Sequence, residues 1–149
     1  MPSSWTQNIY HAVFSTKHRV EIITPEVEER LYPFVGGILK DLRCIPIAIN
    51  GMADHLHFLA IYPSDLSHAD MLRHVKKRSS EWLHGTFPKL REFSWQEGYG
   101  GFTVSKSLTD EVAEYIRGQK EHHKRFDSLS EFKELLKRHG IEFDPKYLE

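Results

Sequence analysis

Two apolar, β-branched runs, residues 45–49 and 52–62, flank the dipeptide Asn50-Gly51. Both residues of that dipeptide tolerate positive φ, the property a tight two-residue turn requires. The spacing therefore predicts an antiparallel hairpin turning at Asn50-Gly51. Its second strand carries His55-Leu56-His57-Phe58. Side chains alternate along a strand, so His55 and His57 project from one face, and Leu56 and Phe58 from the other. A sheet packed on helices through Leu56 and Phe58 leaves two imidazoles side by side on the opposite face. Such a pair is a two-point grip on a divalent metal. Read alone, it is equally the pattern of an ordinary half-exposed strand.

The hairpin sits inside an alternation of strands and helices. Residues 7–15 are rich in β-branched and aromatic side chains and predict a first strand, which includes His11. Residues 16–21 are charged and predict a loop or an extension of the strand. Thr24 caps a helix with Pro25 at its first position; Leu31, Val35, Ile38 and Leu39 recur at helical spacing, while Pro33 is expected to kink or delay it. After the hairpin, Ser67 caps a helix running to about residue 84. Residues 93–99 predict a loop, 102–105 a short fourth strand, 110–124 a third helix capped by Ser107 or Thr109, and 130–139 a last helix, followed by a loosely packed tail. Strand, helix, hairpin, helix, strand is the split βαβ arrangement of ferredoxin-like α+β folds. It predicts one antiparallel sheet with helices on one face and additional C-terminal helices. The other face, with the histidines, is expected to stay open. The chain is read as one domain over residues 1–149, with a core at about 7–125 and a helical tail at about 126–149.

Composition narrows the class. With 40% hydrophobic and 28% charged residues in 149, the chain is a globular one. No apolar stretch approaches the ~20 residues that span a bilayer, and the N-terminus lacks the regions of a signal peptide. A single cysteine, Cys44, reads as a small buried hydrophobe. The expectation is a cytoplasmic protein without a membrane partner. A net charge of −1 argues against general nucleic-acid affinity, but Arg73, Lys76, Lys77 and Arg78 form one basic cluster and Arg117, Lys120, Lys124 and Arg125 another. A neutral protein can carry a local basic groove.

The third helix supplies candidate chemistry. Tyr115 and Gln119 are four residues apart on one face, followed one turn later by His122 and His123. On its own that face is ordinary amphipathic surface. Set against the histidine strand, Gln119 offers a carbonyl oxygen as third metal ligand and Tyr115 a hydroxyl beside the ion. A metal polarises a phosphodiester oxygen, and a phenolate can attack phosphorus to form a covalent ester. Such an ester conserves the bond energy for rejoining, which a hydrolase has no need to do.

Three segments carry a resemblance. His55-Leu56-His57 after Met52-Ala53-Asp54, the helix Tyr115-Ile116-Arg117-Gly118-Gln119-Lys120-Glu121-His122-His123, and the loop Trp95-Gln96-Glu97-Gly98-Tyr99-Gly100-Gly101-Phe102 together resemble the single-tyrosine HUH transposases of small bacterial and archaeal insertion sequences. That group includes relatives associated with repetitive extragenic palindromes (REPs). Lys76-Lys77-Arg78-Ser79-Ser80 matches in character, and Ala53 replaces the family's usual proline. The resemblance implies a homodimeric transposase that cuts and rejoins single-stranded DNA at hairpin-marked ends through a 5′-phosphotyrosine. Tyr115 is then the nucleophile, and His55, His57 and Gln119 hold Mg²⁺ or Mn²⁺. For DNA contact the expected residues are Arg73, Lys76, Lys77, Arg78, Arg117 and Lys120 on phosphates, with Trp95 and Tyr99 as base-stacking candidates. The alternatives are a domesticated hairpin-binding protein, a REP-processing nuclease with little transposition activity, or a metal-dependent phosphoesterase in which Tyr115 is only structural.

Overall fold

The computed structural model describes residues 5–124 and 127–148. Strand β1 (Asn8–Ser15), helix α1 (Pro25–Asp41), the hairpin β2 (Ile45–Met52) and β3 (His55–Tyr62), helix α2 (His68–Thr86) and strand β4 (Gly100–Thr103) follow in that order. The strands form one antiparallel sheet in the order β2-β3-β1-β4, the ferredoxin-like arrangement expected. Helices α3 (Thr109–Arg117), α4 (Gln119–His122) and α5 (Ser128–Arg138) complete the chain.

Alternation divides the sheet into two faces. Ala12 and Phe14 of β1 and Leu56, Phe58 and Ala60 of β3 pack with Leu31, Val35, Ile38 and Leu39 of α1 and Met71, Leu72, Val75 and Leu83 of α2 in the main core. Burying the Leu, Ile, Val, Phe and Met side chains among them stabilises by about 1.5–3 kcal/mol each. Thr24 accepts from the Val27 N–H and Ser67 from the Asp70 N–H, so both helices start on the caps read from sequence. Pro33 leaves α1 continuous. Its position is exposed, so the carbonyl that loses its partner faces water, and the buried stripe outweighs the roughly 3 kcal/mol that proline costs a helix.

The other sheet face is not open. Ile9 and Leu59 pack against Ala113 and Ile116 of α3. Val13 and Phe102 pack against Leu135 and Leu136 of α5 and against Leu148, so the tail is docked. The sheet lies between two helical layers, and His55 and His57 are 1% and 0% exposed. A run of helices placed after the sheet had to bury its own apolar stripes, and this face offered the remaining apolar surface. The Gly100-Gly101 pair permits the two-sided covering: a Cβ on Gly100 would meet the Phe132 ring of α5, and one on Gly101 would meet the His68 ring of α2.

Several boundaries differ from the sequence reading, and β4 spans Gly100–Thr103, two residues earlier than the expected 102–105. The hairpin turns at Ala53-Asp54, with Asn50 opposite His57 and Met52 opposite His55 inside the ladder. The turn is pinned from outside the hairpin: Ile22 and Ile23 donate to the Ala53 carbonyl and Thr16 to the Asp54 carbonyl. Those long-range bonds override the local preference of Asn-Gly. The third helix is interrupted at Gly118 (φ −87°, ψ 13°), which separates α3 from α4. It is preceded by a 3-10 turn at Lys106–Leu108, and neither Ser107 nor Thr109 caps it. Finally, α5 begins at Ser128, two residues early, because Asp127 accepts from the Ser130 N–H.

Candidate metal centre and nucleophile

The site is built on the face shared by β1 and β3. Val13 lies opposite His57 and His11 opposite Leu59. His11, His55 and His57 therefore line one surface, which α3, α4 and α5 close from above. The break at Gly118 aims Gln119 inward, where it is 0% exposed.

The imidazoles are held by their outer nitrogens. His55 Nδ1 lies 2.7 Å from Asp54 Oδ1, and Ser128 Oγ donates to the other Asp54 oxygen at 2.7 Å. A carboxylate behind a histidine fixes its tautomer and turns Nε2 toward the site. Behind His57, His11 Nε2 lies 2.8 Å from His57 Nδ1.

The inner nitrogens converge. His55 Nε2 is 3.1 Å from Gln119 Oε1, and His123 Nε2 is 2.9 Å from the same oxygen. A carboxylate absent from the sequence reading sits among them. Glu131 Oε1 lies 2.9 Å from His57 Nε2 and 3.2 Å from both His55 Nε2 and His123 Nε2. Glu131 Oε2 accepts from Gln119 Nε2 at 2.8 Å and from the Tyr115 hydroxyl. Tyr115, Gln119, His55 and His57 are thus brought together as expected, with Glu131, His123, His11 and Asp54 added.

The electrostatics follow from burial and from these bonds. Burial opposes the Glu131 charge, but hydrogen bonds from His123, His55 and His57 outweigh it and hold the carboxyl far below its usual range. Burial also disfavours charged His55, yet the bonds to Asp54 and Glu131 raise it to about 9. His57, more deeply buried, is lowered to about 4. Since the carboxylate only accepts, the neutral His57 ring donates from Nε2, and its Nδ1 accepts from His11. Burial and the Glu131 charge push the Tyr115 hydroxyl well above the ordinary phenol range.

The donor set suits a divalent ion. Ligand atoms of His55, His57, His123 and Glu131 all lie within 4.8 Å of one another. Atoms bound about 2.1 Å from one ion lie roughly 3.0 Å apart at right angles and about 3.4 Å apart in a tetrahedron. The distances from Glu131 Oε1 to the three Nε2 atoms fall in or near that range, so these residues fit a single divalent ion. Imidazole with one carboxylate favours Mn²⁺ over Mg²⁺.

The candidate DNA contacts are distributed differently. Trp95 is corrected: it is 7% exposed, donates from Nε1 to Ser79 Oγ, and packs edge-on against Phe14 and Phe93. Its ring is core and unavailable to a base. Lys76 is corrected too, because its ammonium donates to the carbonyls of Gln96, Glu97 and Gly98 at 2.9, 3.3 and 2.7 Å. It clamps the loop before β4. Lys120 binds the Gly51 carbonyl, Asn50 Oδ1 and Glu28, tying α4 to β2 and α1. Arg117 pairs with Glu114, and Arg78 with Asp41. Arg73 and Lys77 are exposed on α2, across the sheet from the histidines, and Tyr99 is 41% exposed. Arg125 lies outside the described residues.

The family model "Transposase IS200 like" matches residues 4–119. The chain belongs to the IS200-like transposase family. Membership supports a DNA-cleaving, strand-transferring enzyme, and the family generally uses a divalent metal. Among relatives, the transposase of insertion sequence element IS200 from Salmonella typhimurium is 32% identical over 131 residues, covering 81% of this chain and 82% of its own. The ISDra2 transposase TnpA of Deinococcus radiodurans is 24% identical over 115 residues, covering 74% and 82%. A solved Deinococcus radiodurans R1 structure, assigned there as a transposase, superposes with a TM-score of 0.67 at 22% identity over 80% of this chain and 95% of its own. A REP-associated tyrosine transposase bound to a REP hairpin gives 0.62 at 13% identity over 83% and 73%. These structures support the α+β fold. No helix among the described residues is long and apolar enough to cross a membrane.

Glu131 and His123 both fall outside the span matched by the family model. A signal for Glu131 was present in the sequence: it shares the stripe of Ser128 and Leu135 on an amphipathic helix, a carboxylate where an apolar residue belongs. For His123 there was only its position one turn after Gln119.

Proposed function

We propose that this transposase-family chain cuts and rejoins single-stranded DNA at hairpin-marked ends through a covalent bond to Tyr115. The observation that carries the reading is the meeting of the Tyr115 hydroxyl, Gln119 and the paired histidines around one buried cluster of metal-binding atoms. His55, His57 and Gln119 hold Mg²⁺ or Mn²⁺, which when bound supplies Lewis-acid polarisation of the scissile phosphate.

This chain's residues then act as follows. Asp54 and His11 hold the two rings in place from behind. Tyr115, anchored on α3 by Ala113 and Ile116, presents its oxygen at the cluster. As the phenol oxygen bonds to phosphorus, its proton is transferred to water. The P–O3′ bond breaks and the 3′ oxygen takes up a proton. A 5′-phosphotyrosine and a free 3′-hydroxyl result. Attack by another 3′-hydroxyl reverses the step and rejoins the strand. The exposed Lys77 and Tyr99 are the residues best placed to meet DNA, with Arg73, Arg78 and Arg117 available if their ion pairs with Asp70, Asp41 and Glu114 open. The homodimer belongs to the same proposal and rests on the family resemblance.

The test is a denaturing gel with labelled single-stranded hairpin DNA from either flank of the gene, in Mg²⁺ or Mn²⁺. A protein–DNA band lost with Tyr115→Phe and with chelator is expected. Free cleaved DNA without the band would replace the reading with a phosphoesterase. Binding without cleavage in both metals would replace it with a hairpin-binding protein.

A further inference from the structure

The residue with the most partners in the site lies on α5, outside the segment that the family model matches. Glu131 is 4% exposed, and a buried carboxylate is held ionised only by specific partners. Here the partners of its two oxygens are divided. Oε1 faces the three Nε2 atoms of His55, His57 and His123. Oε2 receives Gln119 Nε2 and the Tyr115 hydroxyl, with His122 Nε2 at 3.4 Å. One oxygen thus sits among the metal-binding atoms and the other on the nucleophile.

We infer that Glu131 is a metal ligand through Oε1 and the positioning residue of Tyr115 through Oε2, so that α5 completes the active centre. This rests on the strand-transfer reading above. A single carboxylate spanning both groups fixes the distance from phenol to ion and sets the phenol rotation. Gln119 is oriented by the same carboxylate: its amide nitrogen is tied to Oε2, which leaves its carbonyl oxygen facing the imidazoles. The docking of α5 is built to hold this placement. Asp127 caps the helix, Ser128 bonds Asp54 behind His55, Leu135 and Leu136 pack on Val13 and Phe102, and His139 stacks on the Phe102 ring.

The experiment compares Mn²⁺ binding and covalent-adduct formation in the full chain. Calorimetry and the electron paramagnetic resonance spectrum of bound Mn²⁺ are recorded for the wild type, Glu131→Gln, Glu131→Asp, His55→Ala and Tyr115→Phe. Glu131→Gln is expected to weaken Mn²⁺ binding about 10–100-fold, the usual effect of disturbing a ligand or its support, and to change the spectrum. Tyr115→Phe removes a hydroxyl from Oε2 and no ligand, and is expected to shift Mn²⁺ affinity less than Glu131→Gln does. At saturating Mn²⁺, Glu131→Gln still forms adduct at least about tenfold more slowly, with hairpin affinity unaltered. Glu131→Asp keeps the charge with a shorter reach, recovers part of the metal affinity, and carries the test if the glutamine variant does not fold. Wild-type Mn²⁺ affinity and adduct rate in both Glu131 variants would overturn the inference alone. Faster adduct formation would overturn it in favour of a carboxylate that plugs the site. Equal Mn²⁺ binding by wild type and His55→Ala would remove the metal centre itself.

Discussion

Replacing Lys76 by methionine separates two roles for a lysine that the sequence places in a basic cluster. The structure gives its ammonium three carbonyl acceptors in the 96–98 loop, and its stem carries the charge to within 5.7 Å of the Phe14 ring centroid and 5.6 Å of that of Tyr99. Desolvation lowers the group to about 8, so at pH 7 it is mostly charged. Hydrogen bonds to charged donors contribute about 1.5–3 kcal/mol each when well buried. Partial exposure and the cost of desolvating the ammonium reduce three such bonds to about 2 kcal/mol in all. Methionine keeps the stem and removes the donors. With a urea m-value of about 2 kcal/mol/M, the midpoint of unfolding should fall by about 1 M. Binding to a single-stranded hairpin, measured from 50 to 300 mM salt, should keep the wild-type slope of log K against log [salt]. A phosphate contact would lower that slope by about 0.7. An unchanged midpoint with a slope reduced by that amount would refute the loop-clamp role. The pH dependence has a definite sign. The folded value lies below the unfolded one near 10.4, so the cost of burying the charge is present below pH 8. It is relieved as pH rises toward 10, and wild-type stability should gain on Lys76→Met over that window.

Asp54→Asn keeps the shape behind His55 but weakens its hold on Nδ1, and Mn²⁺ affinity should drop about 10–100-fold in calorimetry with the fold intact by circular dichroism. Trp95→Ala removes a buried ring and leaves Ser79 without its donor, so chemical denaturation should show a loss of about 3–5 kcal/mol. Tyr99→Ala, by contrast, should cost little stability and weaken single-strand affinity by about 1–3 kcal/mol if the exposed ring stacks on a base.

Much of the fold was legible because its signals are periodic. The alternation in residues 55–62, the stripe of Leu31, Val35, Ile38 and Leu39, and the caps Thr24 and Ser67 report local geometry that tertiary packing reinforces. The hairpin turn was not legible. Asn50-Gly51 is the stronger local signal, while the bonds that fix the turn at Ala53-Asp54 come from residues 16, 22 and 23. The covering of the histidine face was missed for a related reason: which surface a late helix seeks depends on what the sheet has left unburied. Side-chain direction made His55, His57, Tyr115 and Gln119 readable as one site. Glu131 was not readable in that way, since a carboxylate on an amphipathic helix reveals its partners only once the helix is docked. The same limit applies to Trp95 and Lys76, whose residue types suit DNA and whose surroundings in the fold assign them to core and loop.

The central claim is that Tyr115 is the nucleophile, and peptide mapping tests it most directly. The protein is incubated with hairpin DNA and Mn²⁺, digested with nuclease and trypsin, and analysed by mass spectrometry. The account predicts a nucleotide 5′-phosphate on the peptide that contains Tyr115, located at that residue by fragmentation. A nucleotide on any other residue, or cleaved DNA with an unmodified Tyr115 peptide, would contradict it.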